Sequence, residues 1–140
     1  ATGTFVSVGP LRARIIAAGA PYVQDAVITG LNMHEVGAMV FTTPRVRELC
    51  ELPDNASLVE VLQHPKVTAY FQQLLNTLAA QATGSANRVA RLVLLSEPPS
   101  IDKGEVTDKG SINQRSVLKH RDALVQAFHA GKTPGTLLPQ

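Results

Sequence analysis

The sequence predicts a small α+β layer domain, with a three-stranded sheet packed with helices. Three observations carry that prediction. Apolar runs at 22–29 and 37–42 lie close enough to pair as a hairpin. A later run, 89–95, is continuously apolar, as a strand buried on both faces should be. Around these runs lie segments of helical period bounded by capping residues.

The elements follow in order. Residues 10–18 read as a short helix, with Pro10 suited to its first turn and Gly19 ending it. Tyr22–Thr29 is a strand closing on Gly30, 31–35 a polar turn, and Gly37–Thr42 the second strand. Pro44–Leu49 gives a helical turn or two. Ser57 with Glu60 forms a capping box before an apolar run to Leu62. Pro65 opens the longest helix, to about Gln81, on which Val67, Phe71, Leu74 and Leu78 form one stripe. Residues 83–87 are a loop, Val89–Leu95 the third strand, and 97–110 a polar loop punctuated by Pro and Gly. Ser111 with Gln114 reads as a second capping box, starting a helix to about Ala130 with Val117, Leu118, Leu124, Val125 and Phe128 inward. Residues 131–140 are expected to be a frayed or loosely docked tail.

Composition narrows the function classes. The chain has 140 residues and is 44% apolar, enough for one domain with a real core. A net charge of +2 is too small to imply nucleic-acid binding. No apolar run approaches the ~20 residues of a membrane span. The one cysteine, Cys50, rules out an intramolecular disulfide, fits a reducing, cytoplasmic compartment, and reads as a small buried apolar residue. His34, His64, His120 and His129 show no metal-ligand spacing, so no metal site is expected. Asp25, Glu35 and Glu48 are scattered and suggest no acid–base pair. The opening at Ala1 reads as a cut inside a longer protein.

The most informative stretch is Glu105-Val-Thr-Asp-Lys-Gly-Ser-Ile-Asn-Gln-Arg115. Lys109 stands beside Gly110 in a short polar loop before a helix. A long cation on a bendable backbone suits phosphate or carboxylate oxygens. A solvated turn lysine has the same local pattern. Ser111 reads as a cap rather than a nucleophile, since no His and Asp stand ready to activate it. Lys109, Arg115, Lys119, His120 and Arg121 form a basic cluster, read as a solvated helix face. The chain carries no Walker-type loop and no Gly-x-Gly-x-x-Gly, so it has no evident means of holding ATP alone.

Three segments, within about residues 3–42 and 88–121, together resemble the C-terminal domain of the adenylate-forming enzymes. The first, Gly3-Thr-Phe-Val-Ser-Val-Gly-Pro-Leu-Arg12, is similar to the family's Gly-x-x-Val-x-Pro-x-Glu stretch after the interdomain hinge. The second is Pro21-Tyr-Val-Gln-Asp-Ala-Val-Ile-Thr-Gly30 with Glu35-Val-Gly-Ala-Met-Val-Phe41, which resembles the family's hairpin. The third is Arg91-Leu-Val-Leu-Leu-Ser-Glu-Pro-Pro99 with Thr107-Asp-Lys-Gly-Ser-Ile-Asn-Gln-Arg115. It looks like the strand and loop that carry the catalytic lysine. The family pattern Thr-x-x-Gly-Lys-Ile-x-x-Arg falls on Thr107, Gly110, Ile112 and Arg115. Ser111 then stands where the lysine usually is, and Lys109 precedes the glycine. Val8, Pro10 and Arg12 replace the family's Pro and Glu near the start. The wording is most like the feruloyl-CoA synthetase branch.

The resemblance implies that residues 1–140 form a C-terminal, mobile lid domain of a larger AMP-forming acid–CoA ligase, with 43–87 as a helical elaboration and 131–140 as a tail. It implies ATP, CoA and Mg as requirements of the full-length enzyme, none held by this chain alone. The implied partners are the N-terminal adenylation domain of the same chain and an aromatic carboxylic acid. Lys109, or alternatively Arg115, would be the catalytic cation on the loop formed with Thr107, Gly110 and Ser111. Gly3 and Val6 would line the CoA approach after a domain rotation. Two other readings stand beside this one. The acyl-AMP could pass to a carrier protein, or the domain could be a non-catalytic interaction module.

Overall fold

Strand β2 (Val36–Thr42) is the centre of the sheet, flanked by β1 (Val23–Thr29) and β3 (Val89–Leu95). The computed structural model describes residues 8–30, 35–82 and 88–140. Strands β1 and β2 pair antiparallel, with Val27 opposite Met39. Strands β2 and β3 pair parallel, with Met39 beside Val93. The sheet is therefore mixed, and the fold is the α+β layer arrangement expected from the sequence. Gly3, Val6, the 83–87 loop and most of the 31–35 turn lie outside the described residues.

The sheet is covered on both faces, which explains the apolar strands. Ala26, Ile28, Ala38, Val40 and Leu92 belong to one core cluster. Val27, Met39, Phe41, Val93 and Leu95 belong to the other. Alternation along a strand sends neighbours to opposite faces. Val23 and Val89 break that parity, since both join the first cluster. A register shift lies beside each, between Val23 and Asp25 on β1 and opposite Val36 and Gly37 on β3. One extra residue in a strand flips the side chains that follow it.

Helix α1 (Val8–Ala18) and the long α3 (Pro65–Gln81) supply the first layer. Leu11 and Ile15 of α1 join Val67, Phe71, Leu74, Leu75 and Leu78 of α3 in the first cluster. The stripe expected from the 3.6 period is thus the buried face of α3. The imidazole Nδ1 of His64 accepts from the Lys66 N–H at 3.1 Å, capping the helix that Pro65 opens. Helix α2 (Leu58–Gln63) is capped as expected, with the Ser57 hydroxyl accepting from the Glu60 N–H at 3.2 Å. A 3-10 segment, Pro44–Leu49, joins β2 to this region and buries Val46. Cys50 is buried, as expected of a small apolar residue. No described helix is long and apolar enough to cross a membrane.

The second layer departs from expectation. The single helix expected from Ser111 to Ala130 is two helices, α4 (Gln114–His120) and α5 (Asp122–His129). The break is at Arg121, with φ −104 and ψ 31. Its side chain turns inward there, while Val117 and Phe128 remain in the core. Ser111 is not the cap. Asn113 caps α4 by accepting from the Ser116 N–H at 3.2 Å. Gln114 does not fold back on its own helix but accepts from the Ile28 N–H of β1 at 2.9 Å. Strand β3 is covered on both faces, yet Ala90, Arg91 and Leu94 stay half-buried because it is an edge strand.

The 131–140 segment returns along that edge. Leu137 and Leu92 exchange both backbone hydrogen bonds, at 2.7 and 3.0 Å. Gln72 donates to the Leu138 carbonyl at 2.7 Å.

Gly37 on β2 tests how tightly the second layer sits. A methyl group there would come within 2.6 Å of both the Phe128 ring and the Thr29 hydroxyl. Phe128 is fully buried and has no room to retreat. Gly37→Ala is expected to cost about 1–3 kcal/mol. Urea unfolding should show a lower midpoint at unchanged slope.

Candidate functional site

The Lys109 loop is an ordered hairpin. Val106 and Ile112 bridge antiparallel. The Thr107 N–H donates to the Ser111 carbonyl at 2.8 Å, and the Gly110 N–H to the Thr107 carbonyl at 2.9 Å. The Thr107 and Ser111 hydroxyls are hydrogen-bonded to each other at 2.8 Å. That pairing explains why Ser111 is unavailable as a cap. Gly110 has φ +82 with nothing within 4 Å of where a Cβ would stand. The turn therefore demands glycine for its backbone, not for space. Four of the expected site residues, Thr107, Lys109, Gly110 and Ser111, are thus brought together at one hairpin tip. Lys109 is exposed and has no ion-pair partner among the described residues. Arg115 is exposed on the first turn of α4, just beyond the hairpin.

The base of the hairpin is held by a buried carboxylate whose partners lie far along the chain. Glu105 is completely buried. Its carboxylate accepts from Arg121 Nε at 3.0 Å and Arg121 Nη2 at 2.9 Å. The Ser100 N–H donates to it at 2.8 Å, and His120 Nδ1 lies 2.9 Å away. Arg121 also donates to the carbonyls of Glu97 and Pro98. Its guanidinium lies over the Phe41 ring, 5.2 Å from the centroid. One ion pair therefore fastens the start of the 97–110 loop to the base of the hairpin at Glu105. The solvated basic face expected for 109–121 is corrected accordingly. Arg121 is buried and His120 engages Glu105, because a buried carboxylate must be matched by charge and hydrogen bonds.

Burial alone would raise the Glu105 carboxyl. The hydrogen bonds from Arg121, His120 and Ser100, with the charge of Arg121, outweigh it and bring it from 4.5 down to about 2.

A second carboxylate is also buried. Asp25 of β1 pairs with Arg12 of α1 at 2.8 Å. The same two side chains reach the hairpin strand at Ile112. No sequence-local pattern reveals either pair, since the partners lie 13 and 16 residues apart. A third cluster lies elsewhere, where Thr29 and His129 Nε2 are 2.6 Å apart and Arg91 pairs with Glu35 at 2.7 Å. Burial, then the nearby Arg91 charge, push the His129 imidazole below its usual value, and Glu35 opposes them. Among the described residues no three His, Cys, Asp or Glu gather as a metal site.

Glu105→Gln leaves Arg121 buried beside a neutral amide, and the expected loss is about 3–5 kcal/mol of stability. The sign with pH follows from a folded value below the unfolded one. The stabilisation is full above 4.5 and is lost as pH falls toward 2, amounting to roughly 3 kcal/mol. The stability difference between wild type and Glu105→Gln, measured by urea unfolding, should be constant above pH 4.5 and shrink below it. A pH-independent difference would contradict the assignment.

No family model matches the chain, and no curated protein sequence matches it. Solved structures do. The adenylation domain of the carboxylic acid reductase of Segniliparus rugosus, in complex with AMP and a co-purified carboxylic acid, superposes with a TM-score of 0.66 at 19% identity, over 94% of this chain and 19% of that one. The adenylation–carrier didomain of the same enzyme, with AMP, gives 0.62 at 17% identity, over 89% and 16%. The adenylation domain of a Mycobacterium chelonae carboxylate reductase gives 0.60 at 22% identity, over 93% and 19%. The chain thus spans less than a fifth of the length of these structures. It shares the fold of one part of carboxylic acid reductase adenylation domains.

Proposed function

We propose that this chain is the C-terminal lid domain of an adenylate-forming enzyme, and that Lys109 is its catalytic cation. One observation carries the reading. A chain with the fold found in adenylation domains presents a single exposed lysine at the tip of a hairpin whose base is fixed by buried ion pairs.

The chemistry follows from charge. In the first half-reaction a carboxylate attacks the α-phosphate of ATP and releases pyrophosphate. Anionic oxygens crowd together at that moment. An ammonium between them relieves the repulsion and holds the line of attack. Lys109 has the reach, and the hairpin limits how far it strays. Arg115 is the second cation within the same motif. The acid pocket, the phosphate loop and the Mg site belong to the rest of the parent enzyme, so the isolated domain is inactive. The lid then rotates to admit a thiol, with the segment of Gly3 and Val6 lining its approach.

In the preferred form the thiol is CoA and the acid a hydroxycinnamate such as ferulate, on the motif resemblance of the 107–115 segment. A specific observation favours a second form. Three structures sharing the fold are reductase adenylation domains, one of them joined to a carrier domain. In that form the acyl group passes to a carrier-bound thiol.

ATP–pyrophosphate exchange by the full-length parent, with ferulate, tests the lysine. Lys109→Ala should lower exchange by at least about a hundredfold, the usual cost of removing one preorganised charge-stabilising donor. Ser111→Ala should leave it within about threefold, because it removes one exposed hydroxyl bond and keeps the backbone bonds that hold the hairpin. Undiminished exchange in Lys109→Ala would remove Lys109 from the chemistry. Incubating the acyl-AMP with CoA or with a phosphopantetheine carrier separates the two acceptors.

A further inference from the structure

We propose that Arg12 is a positioning residue for the Lys109 hairpin, acting with Asp25 through the backbone of Ile112. The inference rests on the role proposed above for Lys109.

The hairpin uses only alternate backbone groups. Ser111 and Asn113 bond across to Thr107 and Glu105. The N–H and C=O of Ile112 therefore face outward. Ile112 is only 4% exposed, so water does not serve those groups. One ion pair takes both. Asp25 Oδ2 accepts from the Ile112 N–H at 3.3 Å, and Arg12 Nη2 donates to the Ile112 carbonyl at 3.0 Å. Arg12 also forks onto Asp25, with Nε to Oδ1 at 3.2 Å and Nη2 to Oδ2 at 2.8 Å. The Ala26 N–H donates to Asp25 Oδ1 at 2.7 Å, which fixes the carboxylate to β1. The circuit closes on itself, and the hairpin strand is pinned three residues from Lys109.

The planar fork of arginine is essential to this geometry. A lysine at position 12 would keep the charge opposite Asp25. A single ammonium cannot hold both carboxylate oxygens and the Ile112 carbonyl in one plane. Charge alone would stabilise the fold; the fork is what sets the hairpin.

Amide hydrogen exchange on the 140-residue chain is the direct test. Arg12→Met and Arg12→Lys should each speed exchange at Ile112 and Gly110 by about tenfold or more, the usual worth of a charged hydrogen bond. The Phe71 and Leu75 amides of α3 should keep their protection. Unchanged exchange at Ile112 in Arg12→Met, or full protection restored in Arg12→Lys, overturns the inference. The lysine variant retains the ion pair and serves if the methionine variant folds poorly. In the full-length enzyme, both variants should lower kcat of ATP–pyrophosphate exchange about tenfold at unchanged KM for ATP, as loss of a transition-state interaction does. If Lys109→Ala slows that exchange and the Arg12 variants do not, the positioning role fails. If none of the three slows it, the Lys109 reading fails, while faster amide exchange at Ile112 still upholds the clamp.

Discussion

A carboxylate sealed from water governs the organisation of the candidate site. Glu105 has no exposure, so every oxygen lone pair it carries must be answered within the protein. Arg121 answers twice, Ser100 once, and His120 lies within hydrogen-bonding distance. Meeting that demand has consequences along the chain. The last helical region breaks at Arg121, the exit of β3 is fastened through Glu97 and Pro98, and the hairpin begins from a fixed point. An isolated buried pair is weak evidence of stability, since desolvation offsets much of the attraction. Its value here is geometric, because the pair determines where the start of the loop meets the base of the hairpin.

The same logic recurs on the other side of the hairpin. Asp25 is buried on β1, and Arg12 covers it from α1. One carboxylate belongs to the first strand of the hairpin and the other holds its second strand at Ile112. A long surface loop with only its own turn for support would be mobile. Between two ion pairs, the 105–113 segment becomes an extension of the core, with Ile112 itself buried in the second cluster. Lys109 is thus a long, exposed side chain on a backbone held from both strands.

Much of the fold was legible in the sequence because its signals are local. The stripe of Val67, Phe71, Leu74 and Leu78 gave α3, and Ser57 with Glu60 gave the start of α2. The three apolar runs gave the strands. The site was legible only in outline. Lys109 and Gly110 stand out as residue types, but Ser111 and Gln114 mimic a capping box while serving other partners. Arg121 looks like one more helix cation, and nothing within a turn of it announces Glu105. Asp25 has a polar type in an apolar strand, which was the available clue. Ion pairs closed by tertiary structure leave no periodic trace, so local rules pass over them.

The edges of the sheet carry a further consequence. A three-stranded sheet has two open sides, each a row of unsatisfied backbone groups that invites a neighbouring molecule to add on. This protein covers part of each without a fourth strand. Gln114 caps β1 at Ile28, and Leu137 lies along β3 at Leu92. Leu137 and Leu138 thus occupy a stretch of edge that would otherwise lie bare. A chain shortened before Leu137 would keep its core and its lysine hairpin yet present a bare β-edge, and its solubility at high concentration would suffer first.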